Sequence, residues 1–192
     1  MVKILDSDRI TGFEVNISCP NIKTGGVAFG QDPKLTERIV KAVRRETKKI
    51  VITKLTANFI DPVVTAKAAV AGGSDAISLI NTIYGLAINH QERKYFLGGK
   101  VGGLSGPAIK PVALYMVYKV AGTIDLPIVG CGGITTATDT LEFLMAGASA
   151  IQVGTASFTN PRSPLEVLQG IEQFMRKEGI EDITELIGAA RR

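Results

Sequence analysis

Short apolar runs rich in valine and isoleucine alternate with amphipathic stretches along the chain. The runs Phe13 to Ile17, Ile50 to Leu55, Ala76 to Ile80, Pro127 to Gly130 and Ala150 to Gly154 predict strands covered on both faces. Between them, Asp32-Pro33 opens a helix running to about Lys48, and Asp61-Pro62 opens another that ends at Gly72-Gly73. Further helices are expected over roughly Ile109 to Ala121, Thr138 to Ala146 and Pro164 to Lys177, with Glu181 to Ala190 as one more short helix. Regular β-α alternation implies an α/β fold with a parallel sheet, either open and doubly wound or closed as an eight-stranded (β/α)8 TIM barrel. A closed barrel usually needs about 250 residues and three more units than appear here. If this is a barrel, its first three strands are absent and the chain is an incomplete barrel of about five units, a single partial domain over residues 1–192. The opening, Met1 to Arg9, is polar and lacks a strand pattern.

Composition narrows the function. Hydrophobic residues make up 45% and charged residues 21%, which excludes a disordered chain. The net charge of +4 is mild. Its lysines and arginines, such as Lys41, Arg44, Arg45, Lys48 and Lys49, fall on a helical stretch and read as a solvated face rather than a nucleic-acid surface. No run is long enough for a membrane span, and no signal peptide precedes the first strand. Two cysteines without metal-ligand spacing argue against a disulfide framework, zinc or an iron–sulfur cluster, so a reduced, cytoplasmic protein is expected.

The candidate chemistry lies where strands give way to loops. Asn16-Ile17-Ser18-Cys19-Pro20-Asn21 places a thiol and two carboxamides at a strand end, where a parallel α/β protein presents its reactive groups. Cys19 alone would pass for a core cysteine, but a core position has no use for so many polar neighbours. Two late turns, Gly130-Cys131-Gly132-Gly133 and Gly154-Thr155, end consecutive strands with bare backbone, as a phosphate site requires. Cys131 there reads as a small filler of the turn. Lys54 either snorkels from its strand end or meets a negative partner and stabilises negative charge on a ring system. Asn81-Thr82 either reads a substrate's polar edge or makes a plain turn. The long connection Ile83 to Ser105 has the character of a lid or a docking surface. Its His90, the single histidine, reads as surface-exposed. Gly102-Gly103-Leu104-Ser105-Gly106-Pro107 closes this connection and offers further backbone donors.

With these motifs in place, the chain resembles the dihydroorotate dehydrogenase family over about Phe13 to Phe174. The most specific elements are Asn16 to Asn21, followed by Lys23 to Gly30, and Gly102 to Pro111. The Gly-Gly-x-x-Phe-Gly loop is similar to that of the NAD-linked, two-subunit type, and cysteine rather than serine at position 19 separates it from the quinone-reducing type. The resemblance implies a TIM barrel holding FMN over the strand ends. It also implies oxidation of dihydroorotate to orotate in pyrimidine biosynthesis, with the hydride passing to FMN N5 and the proton to Cys19. By the same resemblance Asn16, Asn21, Asn81 and Thr82 contact substrate, while Asn16, Lys54, Ile80, Gly106, Gly132, Gly133, Gly154 and Thr155 line FMN. A partner subunit would carry FAD and a 2Fe–2S cluster and pass electrons to NAD, in a heterotetramer built on a homodimer. The lack of G-x-G-x-x-G after any strand agrees with leaving the NAD step to a partner. Two readings stay open beside it: a related dihydropyrimidine-type flavoprotein, and a non-catalytic barrel piece that binds phosphate or a partner.

Overall fold

The computed structural model describes residues 1–18 and 26–191, with side chains at all of these except 26–28. Strands β1 (Gly12–Asn16), β2 (Ile50–Lys54) and β3 (Ala76–Leu79) precede an arm of four short strands, β4 (Ile83–Leu86), β5 (Ile88–Asn89), β6 (Lys94–Tyr95) and β7 (Val101–Leu104). Strands β8 (Ile128–Cys131) and β9 (Ala150–Gln152) follow. The helices are α1 (Val2–Leu5), α2 (Gly26–Gln31), α3 (Pro33–Glu46), α4 (Pro62–Gly72), α5 (Lys110–Ala121), α6 (Ala137–Ala146), α7 (Ala156–Thr159) and α8 (Ser163–Glu178).

Strands β1, β2, β3, β8 and β9 form, in that order, a five-stranded sheet whose pairs are all parallel. Their alternation separates two faces. Val51, Leu55, Ile77, Leu79 and Ile128 are buried in one core with Ala66, Ala113, Val117 and Phe143 from the covering helices. The opposite, inward face carries Glu14, Lys54, Ser78, Cys131 and Gln152, one polar side chain from each strand.

Local chemistry sets the helix ends that the sequence announces. Asp32 Oδ1 accepts from the N–H of Lys34 at 2.8 Å and of Leu35 at 3.3 Å, with Pro33 as first helical residue of α3. Asp61 caps α4 in the same way, and Gly73 ends it at φ 92, a left-handed turn that suits glycine. Helix α6 begins with a reciprocal capping box between Thr136 and Asp139. Among the described residues no fully buried side-chain nitrogen or oxygen lacks a hydrogen bond. Among them, too, no helix is long and apolar enough to cross a membrane.

Asp139 also ties α6 to α5. One carboxylate oxygen accepts from both the N–H and the hydroxyl of Thr135 and of Thr136, while the other takes the Lys110 ammonium at 2.7 Å. Glu142 holds the same ammonium at 2.8 Å. Burial alone would raise the Asp139 pKa. Lys110 and the threonine donors outweigh it and hold the carboxyl far below the usual carboxylate range.

Where the structure departs from the sequence pattern, short range is the reason. The connection from Ile83 to Ser105 is an ordered arm in which β4 pairs antiparallel with β7 and β5 with β6. Its strands are too short and glycine-broken to show a period of two. The last segment makes 3-10 turns at Ile183–Leu186 and Ala189–Arg191 in place of one helix. Helices α1 and α2 are brief, and α2 starts inside a glycine-rich stretch that reads as loop.

Two measurements check this packing. Phe143 is fully buried, and a Cβ at Gly130 would come within 2.6 Å of its ring. Phe143→Ala is expected to lower unfolding free energy by about 3–5 kcal/mol in urea titrations. The lowered Asp139 pKa means that its contribution is complete above the unfolded-state value of about 3.9 and declines as pH falls below it. Asp139→Asn should therefore be less stable than wild type at neutral pH, with the gap in thermal midpoint closing only on acidification below pH of about 4.

Candidate active site

At the C-terminal ends of the parallel strands lies a cleft of about 270 Å³, close to the lower end of small-molecule pockets. Lys54 comes to it from β2, and Ile80, Asn81 and Thr82 from the residues after β3. Gly106 follows the arm, Gly132 and Gly133 follow β8, and Gly154 and Thr155 follow β9. Segments far apart in sequence thus meet because parallel strands all deliver their C-terminal ends to one rim.

Glycine backbone forms part of the cleft wall, beside side chains such as Ile80, Ile109, Ile134 and Phe158. Gly106, Gly132 and Gly133 sit at φ 89, 133 and 75. At Gly133 a Cβ would stand 2.7 Å from the Lys110 backbone nitrogen and 2.9 Å from the Gly106 carbonyl oxygen, so this close approach needs glycine at position 133. Gly154 is different: nothing lies within 4 Å of its would-be Cβ, so a side chain there would enter open space at the cleft. Thr155 donates its hydroxyl to Ser105 at 2.8 Å, joining the arm's end to the β9 turn.

Lys54 does not simply snorkel to water. Its side chain is 15% exposed and donates to Gln152 Oε1 at 3.0 Å, with Glu14 Oε1 at 3.6 Å and Cys131 Sγ at 3.9 Å. Glu14 Oε2 accepts from Ser78 Oγ at 2.9 Å and from Gln152 Nε2 at 3.0 Å. Burial pushes the Cys131 thiol up, Lys54 offsets part of that, and Glu14 adds to the rise. Cys131 therefore favours its neutral form, in keeping with a filler.

Beside the cleft, the end of β1 meets the loop after β3. Asn81 Nδ2 donates to Asn16 Oδ1 at 3.1 Å and to Ser18 Oγ at 2.9 Å, and Asn81 Oδ1 accepts from the Thr82 N–H at 2.8 Å. Asn16 pairs in register with Lys54, which puts the carboxamides next to the cation. Cys19 and Asn21 lie outside the described residues. His90 is exposed on the arm, as its charged surroundings suggest.

Several residues that shape this site escape a reading of the sequence. Asn58, buried in the β2–α4 loop, donates to the Thr82 carbonyl at 2.9 Å and accepts from the Tyr84 N–H at 3.0 Å, clamping the Asn81-Thr82 turn. In Thr56-Ala57-Asn58-Phe59 it looks like an ordinary turn residue. Glu14 and Gln152 carry a weak signal, as polar residues inside short strand runs.

Comparison with known proteins agrees with this geometry. The family model described as dihydroorotate dehydrogenase matches residues 2–175. The chain is 56% identical over 186 residues to the dihydroorotate dehydrogenase B (NAD(+)) catalytic subunit of Alkaliphilus oremlandii, covering 97% of this chain and 61% of that protein. Against the protein of the same name from Lachnoclostridium phytofermentans it is 51% identical over 191 residues, covering 100% of this chain and 64% of that protein. The chain thus spans less than two thirds of the length of these relatives. A crystal structure of DHODH from Eimeria tenella, in complex with ferulenol, shares the fold at a TM-score of 0.78 and 22% identity, over 95% of this chain and 54% of that one. Matching a family model over nearly its whole length and sharing more than half its residues with a named relative, the chain belongs to the dihydroorotate dehydrogenase family.

Proposed function

We propose that this chain forms the larger part of an FMN-dependent catalytic subunit that oxidises dihydroorotate to orotate in pyrimidine biosynthesis. The observation that carries the reading is the convergence of three glycine turns, Lys54 and the Asn81-Thr82 pair on one cleft. The family implies a flavin. Bare backbone at Gly106, Gly132, Gly133 and Gly154, with the Thr155 hydroxyl, fits a phosphate best, which favours FMN over an unphosphorylated flavin. When bound, FMN supplies the acceptor for a hydride.

The chain's own residues do the rest. Lys54 and Ile80, which line the cleft, would hold the ring, with Lys54 supplying a positive charge beside it. Asn16, Asn81 and Thr82, joined by Asn21, fix the substrate ring through its carbonyl and N–H edges. Cys19 takes the proton from the carbon next to a carbonyl; holding that carbon against the acceptor makes the transfer effectively intramolecular. The name borne by the relatives, NAD(+) catalytic subunit, supports NAD as final acceptor. We infer a partner subunit with FAD and a 2Fe–2S cluster, in a heterotetramer built on a homodimer. We read residues 1–192 as one partial barrel domain, working in the cytoplasm where Cys19 stays reduced.

Two experiments test this. In a titration followed by flavin fluorescence, Gly154→Leu should weaken FMN at least about tenfold and abolish any preference for FMN over riboflavin, since the added side chain enters the phosphate space. Equal binding of FMN by both forms would remove the phosphate from this turn, and a wild-type chain that takes up no flavin would favour a non-catalytic barrel piece. In anaerobic reduction of the bound flavin, Cys19→Ser should slow the dihydroorotate reaction by about 100-fold or more. The wild-type rate should climb with pH towards a thiol pKa near about 8.5. A rate that is level between pH of about 6 and 10 removes Cys19 from its role, and faster reduction by dihydrouracil than by dihydroorotate assigns a different substrate.

A further inference from the structure

Glu14 is a carboxylic side chain on the edge strand β1, facing inward, yet it does not line the cleft. Its position is over-determined. Oε2 accepts from Ser78 Oγ at 2.9 Å and Gln152 Nε2 at 3.0 Å, which turns Oε1 towards Lys54 at 3.6 Å. Gln152 completes the ring in one amide orientation only, because its Oε1 accepts from Lys54 Nζ at 3.0 Å while its Nε2 donates to Glu14. The Lys54 ammonium, which lines the cleft, is therefore held by a carboxylate that does not.

We propose that Glu14 is a positioning residue for Lys54: its carboxylate orients the ammonium through Gln152 and partly neutralises it, and so sets how readily the flavin at this site accepts electrons. This rests on the flavin reading given above. The physical reasoning is direct. An electron acceptor beside a cation is easier to reduce, and a carboxylate behind that cation lowers the effect. The pair is mostly enclosed, with side-chain exposures of 15% for Lys54 and 30% for Glu14, so solvent screens it only in part. Cys131 Sγ, 3.9 Å from Lys54 Nζ, reports on the same field without any flavin. The charged groups bearing on it are Lys54 from β2, which favours its thiolate, and Glu14 from β1, which opposes it.

Glu14→Gln separates charge from architecture, since glutamine keeps the length and an acceptor oxygen for Ser78. In a Cys19→Ala background, the pH midpoint for iodoacetamide alkylation of Cys131 in the flavin-free chain should move down, because only the thiolate reacts and its opposing charge is gone. In the FMN-loaded protein, the flavin reduction potential, read against a reference dye, should shift to a more positive value. Glu14→Asp should restore both readouts towards wild type. A midpoint that stays fixed or rises, or a potential that stays fixed or becomes more negative, overturns the proposal and leaves Glu14 as a strand-pinning group. A wild-type chain that takes up no FMN refutes the flavin reading and the redox role together. The alkylation arm then still decides whether Glu14 acts on the Lys54 field.

Discussion

A cation can occupy an inward position of this sheet only because counter-charge and hydrogen bonds come to it from the strands on either side. Lys54 would be costly there alone. Glu14 from one edge strand and Gln152 from the other meet over it, 138 residues apart in sequence and 3.0 Å apart in space. Contact between the two edge strands of a five-stranded sheet means that the sheet is curled into a trough. The curl brings the strand ends together, and the shared rim is the cleft. The belt around the charged amine thus links the curl of the sheet to the site at its rim.

Above that polar belt the construction changes character. The belt is made of side chains, whereas the cleft wall is bare main chain at its glycine turns. Their placement comes from outside, through the helices that follow each turn. The Lys110–Asp139–Glu142 cluster joins α5 to α6, and the Gly132-Gly133 turn lies between those helices' starting points. Asn58 does the corresponding work on the other wall, holding residues 82 and 84 from the neighbouring loop. Rigid supports of this kind set a site's geometry before any ligand arrives.

Much of this was open to reading from the sequence. Five strands, their parallel arrangement and the capping at Asp32 and Asp61 follow from local pattern, because each depends on residues a few positions apart. The glycine turns were also visible, since Gly-Gly and Gly-Thr pairs directly follow the apolar runs of β8 and β9. The belt could not be read in the same way. Glu14 is an ordinary polar alternation in a strand until β9 lies opposite it. Asn58 is one more turn residue until β4 passes within its reach. The arm from Ile83 to Leu104 pairs strands of two to four residues, too brief for periodicity to show. What escapes the sequence is contact between distant segments, and the belt is built from such contacts.

The glycine stretches of this wall have an asymmetric future under mutation. At Gly154 nothing occupies the space ahead of the missing side chain, so any substitution there can only shrink the room available. No single exchange at Gly106, Gly133 or Gly154 can enlarge it, because there are no atoms left to remove. Room for a bulkier occupant has to come instead from trimming the larger side chains of the lining, such as Ile80, Ile109 or Phe158.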